Sequence, residues 1–264
     1  MNNEPKKFSF NGNTLKMIAI ITMLIDHITS VFVEGNVLPK IYASYLGGQS
    51  MEYTDKDYSF WSSVDYIGRG IGRLAFPIFV FLLVEGFMHT RNVWKYALRL
   101  GIFALISEIP FDMAFNGSYF DMSYQNVYFT LLIGLLMMTG FEAVNDHIKP
   151  KLPNVLLQAL IFFAAMMLSL VVSCDYTVMG IAMIAAVYLT RNNRRIMWFA
   201  VLVAIVVTMI PANSSFLEVL GCFSFFLIAF YNGERGSFNL KYFFYAFYPA
   251  HILILGLLNM FLLK

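Results

Sequence analysis

Nine apolar stretches, most of them long enough to cross a bilayer as a helix, account for the greater part of this chain. They fall at 15–33, 70–88, 96–115, 127–144, 154–173, 176–190, 196–212, 216–231 and 242–263. In hydrocarbon every backbone polar group must find its partner inside the protein, so single runs of this length dictate α-helices. The run 176–190 is short and is expected to tilt or to pair closely with its predecessor. Breaks are marked by Pro150 and Pro153, the Arg191–Arg195 run, Pro211 with Asn213, and the Asn232–Gly236 turn. Only 13% of the residues are charged, against about 25% in a soluble domain, so water does not surround most of this surface. The expected fold is all-α: one polytopic transmembrane bundle of about nine helices, a single domain over 1–264, with no repeat or linker. The polar start, MNNEPKKFSFNGN, and the Asp26–His27 interruption mark the first stretch as a retained helix rather than a signal peptide.

Basic residues set the orientation. With ends counted on alternating sides, thirteen of the eighteen Lys and Arg share one side: Lys6, Lys7, Lys16, Arg91, Lys95, Arg99, Lys149, Lys151, Arg191, Arg194, Arg195, Arg235 and Lys241. The other side holds Lys40, Lys56 and Lys264, with Arg69 and Arg73 just inside a helix. The positive-inside bias places the N-terminus in the cytoplasm, the C-terminus outside and the chain in the plasma membrane as a multi-pass protein. The largest outer loop is expected at 34–65. A net charge of +2 gives no footing for nucleic acid, and two cysteines, Cys174 and Cys222, imply neither a disulfide framework nor a cysteine-based metal site.

Ionisable groups at membrane depth are costly, which makes those present the candidates for function. In the first helix, eleven residues separate Lys16 from His27; they share a face about 16 Å apart along the axis. An ammonium at the inner mouth and an imidazole near the midplane suit an elongated anionic co-substrate with a reactive end, and imidazole is the usual general base for a hydroxyl or amine. Asp26 lies roughly 100° round the helix from His27. In 64–87, Asp65, Arg69 and Arg73 form one stripe at i, i+4 and i+8, and Gly68, Gly70 and Gly72 permit a close approach by a backbone or a ligand. Glu108 and Asp112, one turn apart around Pro110, are the expected counter-charges for Arg69 and Arg73. In the last helix His251 lies near the midplane with Tyr248 at i−3, a candidate support for His27. Gln125 with Asn126, and Asp175 with Tyr176, add polar groups at outer helix ends. Each of these also has a structural reading as a satisfied bundle contact. P-loop, zinc, nucleophile-elbow and dinucleotide signatures are absent from the sequence.

The blocks LKMIAIITMLIDHI (15–28), GRLAFPIFVFLLVEGFMHTRNVWKYALRL (72–100), FALISEIPFDM (103–113), QNVYFTLLIGLL (125–136), DYTVMGIAM (175–183) and FYPAHILIL (247–255) resemble the TraX family. That family is named for a conjugative-plasmid member implicated in acetylating the N-terminus of pilin. It is similar in turn to the transmembrane acyltransferases that O-acetylate cell-surface glycans, whose first helix carries a basic residue and a histidine eleven apart. Lys16 and His27 match that pair. The resemblance implies His27 as the catalytic residue and Lys16 towards the acetyl-CoA end. The wider group has an arginine pair three apart, whereas Arg69 and Arg73 are four apart, so its cofactor role is not carried over to them.

The expected activity is therefore transfer of an acyl group, acetyl by the resemblance, from cytoplasmic acetyl-CoA to an extracytoplasmic glycan hydroxyl or protein amine. Lys16, Arg91 and Arg99 would receive the CoA phosphates. His27, with Asp26 and His251, would do the proton chemistry. Arg69, Arg73, Glu108, Asp112, Tyr248, Asp175 and Gln125 would stabilise the oxyanion or support the site. No metal is expected, and homo-oligomerisation is left open. The alternative is a proton-coupled transporter using the same buried charges as a relay.

Overall fold

The computed structural model describes residues 9–46, 53–212, 216–237 and 241–262. Lys6, Lys7, Asn213 and Lys264, used above for orientation and boundaries, lie outside the described residues. Among the described residues the chain is helical, with two single-residue bridges, Phe10 to Tyr231 and Gln125 to Cys174, and no strand. The helices are α1 (Gly12–Ile28), α2 (Leu38–Leu46), α3 (Asp55–Gly72), α4 (Ala75–Met88), α5 (Val93–Phe111), α6 (Val127–His147), α7 (Lys151–Val172), α8 (Thr177–Thr190), α9 (Arg194–Ala212), α10 (Ser224–Ala229) and α11 (Lys241–Leu262). Among the described residues, five segments are long and apolar enough to cross a membrane: Gly12–Ser44, Asp55–Met88, Val127–His147, Lys151–Val172 and Tyr242–Phe261.

Local chemistry fixes the helix starts. The side chains of Asn11, Asn92 and Asn126 accept the backbone N–H groups of Thr14, Lys95 and Tyr128 at 2.9–3.0 Å, satisfying donors that a first turn leaves open. Thr54 and Asp57 form a reciprocal capping box at α3. That box corrects the reading of 34–65 as a loop. Wide π-type turns over Thr29–Val37 carry α1 into α2, and α3 begins at Asp55, so helix fills much of the interval.

Proline arithmetic explains a second correction. The stretch 64–87 does not run as one helix but breaks at Arg73–Leu74, between α3 and α4. Pro77 offers no N–H to the carbonyl four residues back, that of Arg73, and its ring crowds that carbonyl. Gly221 fills the space: a Cβ there would stand 3.0 Å from the Arg73 carbonyl oxygen. In α11, Pro249 likewise frees the carbonyl of Tyr245, and the Tyr128 hydroxyl donates to it at 3.1 Å. Most hydroxyls within the helices, such as Thr22, Thr29, Ser107 and Thr208, donate to carbonyls of the preceding turn and need no other partner.

Packing then places the elements. The first helix lies against α3, α4 and α11; α11 lies along α5; α6 meets α4, α5, α7 and α8. Leu15, Ala19, Ile78, Leu135, Met138 and Ile184 are fully buried between them. By contrast α7 buries only Ala165 and Ser169 and exposes Val155, Leu160, Phe163, Met167 and Val171, which fits a helix bathed in lipid on most of its circumference.

Candidate functional site

Two cavities lie along α1 and share one residue, Phe79. The larger, about 460 Å³, sits at the amino-terminal end of α1 and is lined by Lys16, Glu85, His89, Tyr96, Arg99, Arg235 and the aromatic rings of Phe244 and Tyr245. Here the Lys16 ammonium stands 5.2 Å from the Phe244 ring centroid and the Arg99 guanidinium 5.6 Å from that of Tyr96. The Nε of Arg99 is buried and finds no hydrogen-bond partner among the described residues. One wall is set by the 230–236 turn, where Gly12 N–H donates to the Glu234 carbonyl at 2.7 Å. Three cations, Lys16, Arg99 and Arg235, outnumber the one carboxylate, Glu85, and with the unsatisfied donor they give the cavity a chemistry suited to an anion. Lys16 and Arg99, both singled out from the sequence, line this cavity together. Arg91 does not line the cavity: it lies exposed in the turn before α5, a full two turns short of Arg99.

The smaller cavity, about 200 Å³, sits beyond Phe79 and is lined by His27, Asp26, Arg69, Arg73, Asp175, Tyr176 and Tyr248 among apolar side chains. His27 Nδ1 lies 2.7 Å from His251 Nε2, and His251 Nδ1 lies 2.7 Å from the Phe247 carbonyl oxygen. The edges of Phe115 and Tyr248 meet the His27 ring at centroid distances of 5.4 and 6.0 Å. The packing of α11 on α1 thus joins two histidines that stand 224 positions apart in sequence.

Asp26 does not touch His27's partner; it turns to the arginines. Its carboxylate lies 2.9 Å from Arg69 and 4.0 Å from Arg73. Arg69 also reaches Glu34 at 3.3 Å, and Arg73 reaches Glu218 at 3.0 Å and the Tyr176 hydroxyl at 3.5 Å. Glycines make this possible. A Cβ on Gly72 would overlap Asp26, and one on Gly68 would overlap Thr29, so α3 closes on α1 through both. The glycines of this stretch serve helix contact; Gly70 faces Leu220 instead.

Glu108 and Asp112 are not the counter-charges of the arginines. The backbone N–H and side-chain amide of Asn126 both donate to Glu108, tying α5 to the start of α6. Asp112 accepts from the Asp121 N–H at 2.8 Å and from the Asn116 amide at 3.1 Å, fastening the 117–125 loop. Their place on the arginines is taken by Asp26, by Glu34 and by Glu218; the last is an ionisable residue in the apolar run 216–231, a signal that the reading from sequence passed over. Gln125 contributes through its backbone, paired with Ser173 and Asp175.

Asp175 reaches the cavity from a tight turn between α7 and α8, in which Ser173, Tyr176 and Thr177 all hold positive φ angles of 53°, 61° and 32°. Such backbone costs energy in residues with a Cβ and is held by surrounding contacts. Here Phe76 stacks on Tyr176 at 3.8 Å, and the Tyr124 hydroxyl donates to the Asp175 carboxylate at 2.8 Å. Burial pushes the Asp175 carboxyl above the ordinary carboxylate range, with the Tyr124 hydrogen bond opposing it.

A family profile described as "TraX protein" matches residues 11–259. The chain is 29% identical over 283 residues to the "Probable fimbrial assembly protein FimC, serogroup H1" of Dichelobacter nodosus, an alignment covering 97% of this chain and 99% of that protein. No solved structure matches it.

Proposed function

The chain belongs to the TraX family, and from that premise we propose that it is a membrane-embedded acyltransferase. The observation that carries the reading is the pair of cavities meeting at Phe79, one basic, the other holding His27. In the topology we propose, nine helices cross the plasma membrane, the Lys16 end faces the cytoplasm and the His27 cavity lies in the outer half. Lys16 and Arg99 hold the phosphates of an acyl-CoA, with His89 and Arg235 beside them. The co-substrate supplies an activated thioester carbonyl, which the shared wall at Phe79 admits towards His27.

His27 takes the proton from an acceptor hydroxyl or amine as that group attacks the carbonyl carbon. Arg73 and Tyr248, both lining the same cavity, face the oxygen on which negative charge develops. The proton then passes from His27 to the departing CoA sulfur, so the products are an ester or amide and CoA thiol. Arg69 and Arg73 are neutralised by Asp26, Glu34 and Glu218, which supports their role as fixed, paired donors. The family's implication in pilin acetylation and the fimbrial-assembly name of the relative favour a protein amine outside the membrane as acceptor, with a glycan hydroxyl as the alternative of the same chemistry.

The test is acetyl-CoA binding and slow thioester hydrolysis by detergent-purified protein. Lys16→Ala is expected to weaken binding about tenfold, the loss of roughly 1.4 kcal/mol that a charge-assisted contact supplies. His27→Ala is expected to bind normally and to lose turnover by about a hundredfold or more. Full turnover in folded His27→Ala, or vesicle uptake of a solute without CoA release, refutes the reading and favours transport.

A further inference from the structure

We propose that His251 is the positioning residue that fixes His27 in one tautomer, with the proton on Nδ1 and the lone pair of Nε2 facing the cavity. The proposal rests on the acyltransferase reading for its consequence but not for its geometry.

A carbonyl oxygen only accepts, so the 2.7 Å contact from His251 Nδ1 to the Phe247 carbonyl requires a proton on that nitrogen. A neutral imidazole carries one N–H, so His251 Nε2 is left as an acceptor. The 2.7 Å contact from that atom to His27 Nδ1 then requires the proton on His27. One lone pair in the histidine pair is left unengaged, that of His27 Nε2.

The orientation of the rings agrees. Their planes lie within 6° of each other and their centroids 5.0 Å apart, which is the length of the nitrogen–nitrogen contact plus the width of one ring. The rings are therefore edge to edge in a common plane, and each lone pair points along its hydrogen bond. His27 lines the smaller cavity whereas His251 lines neither cavity, so the bonded edge of His27 faces inward and its free edge faces the space a reactant would fill. His251 is itself buried and held by Phe247 at 4.8 Å and by the edge of Tyr248 at 5.8 Å. Its rotation is closed off.

The consequence is chemical. The opposite tautomer would present an N–H to the acceptor group and leave no base. With the lone pair on Nε2, His27 removes the proton there as the new bond to carbon forms, while Nδ1–H stays bonded to His251. The same Nε2–H then delivers the proton to the sulfur as the thioester bond breaks, and the histidine pair returns to its starting state.

The test uses full-length protein labelled with nitrogen-15 histidine. There are four histidines, His27, His89, His147 and His251, and His27→Gln identifies the His27 signals by their loss. Wild type is expected to show His27 protonated at Nδ1 and bare at Nε2. His251→Gln places an amide oxygen where Nε2 accepted, so it keeps that tautomer and most of the thioester-cleavage rate. His251→Phe fills the space without an acceptor. It shifts His27 to the Nε2–H form and lowers kcat about a hundredfold with KM for acetyl-CoA unchanged. The proposal is overturned by wild-type His27 protonated at Nε2, by an unchanged His27 spectrum in His251→Phe, or by equal losses in the Gln and Phe variants. The wild-type spectrum decides the tautomer without turnover. Absence of acyl transfer thus sinks the functional reading alone, and a wrong tautomer in an active enzyme sinks this one.

Discussion

Replacing Gly72 by Ala tests how the charged site is assembled. A Cβ at this position overlaps three atoms of Asp26: Oδ1, Cγ and Cβ. Rotating the carboxylate relieves the first two but not the third, because Cβ is fixed by the backbone of α1. The helices must therefore separate, and an overpacked contact of this kind costs about 1–3 kcal/mol. Separation also lengthens the 2.9 Å ion pair of Asp26 with Arg69; with part of that half-buried pair's attraction lost, the total rises to about 2–4 kcal/mol. In a chain of this size that is a fall in Tm of roughly 5–15 °C. Gly70→Ala is the control. Its Cβ would meet the movable end of Leu220 at 3.0 Å, and alanine's gain in helix propensity, about 1 kcal/mol, offsets the crowding. Thermal unfolding in detergent, followed by the fluorescence of Trp61, Trp94 and Trp198, separates the two variants. Asp26→Ala added to Gly72→Ala must not restore stability, since alanine keeps the offending Cβ. A double variant more stable than Gly72→Ala alone, or a Gly72→Ala protein that melts with wild type, would refute the packing argument.

Tyr128→Phe is expected to cost about 0.5–1.5 kcal/mol by stripping the freed Tyr245 carbonyl of its donor. Pro249→Ala supplies a backbone N–H to the same carbonyl, so the loss should shrink when Tyr128→Phe is made in that background, as a thermal-melt double-mutant cycle would show; full additivity counts against the proline account. Glu218→Gln keeps a neutral acceptor but removes the charge 3.0 Å from Arg73. A loss of about 1–3 kcal/mol is expected, and an unchanged melt would mean that Arg73 does not depend on Glu218.

What the sequence made legible was depth. An ionisable residue in an apolar run is conspicuous because hydrocarbon penalises it, and its offset from the run's end gives its height in the bundle. Lys16, His27, Asp26, Arg69, Arg73 and His251 were all found that way, and the structure brings Lys16 into one cavity and His27, Asp26, Arg69 and Arg73 into the other. Azimuth was not legible. Glu108 and Asp112 have suitable heights for pairing with the arginines, but which residues meet depends on which helices are neighbours, and the α1–α3 contact gave that place to Asp26. Glu218 carries no periodic signal in its short helical turn. Arg91 failed for a simpler reason: its neighbours His89 and Thr90 line the cavity, but Arg91 itself is exposed on the turn and is not part of that wall. The break between α3 and α4 was missed although its cause stands in the sequence, and the same cause leaves α11 unbroken. Counting four residues back from Pro77 and Pro249 identifies the carbonyls of Arg73 and Tyr245 as the ones needing new neighbours.

The division of labour between Asp26 and His251 has an electrostatic logic. In a hydrolytic triad a carboxylate orients the histidine and offsets the charge it gains, but that arrangement places an anion beside the base throughout the cycle. Here the adjacent carboxylate is committed to Arg69 and Arg73, completing with Glu34 and Glu218 the set of counter-charges that two guanidinium groups in an apolar setting require. His27 instead takes its orientation from a neutral imidazole, which requires no counter-charge of its own. The two neutral rings pass the requirement for a partner down to the Phe247 carbonyl, an acceptor whose place is fixed by α11. Charge therefore appears at His27 only when the acceptor's proton arrives, in a cavity where the Asp26 carboxylate stands together with the arginines it neutralises. An orienting group that is itself neutral suits a base that must work far from water, because the resting site then carries only charges that are already paired.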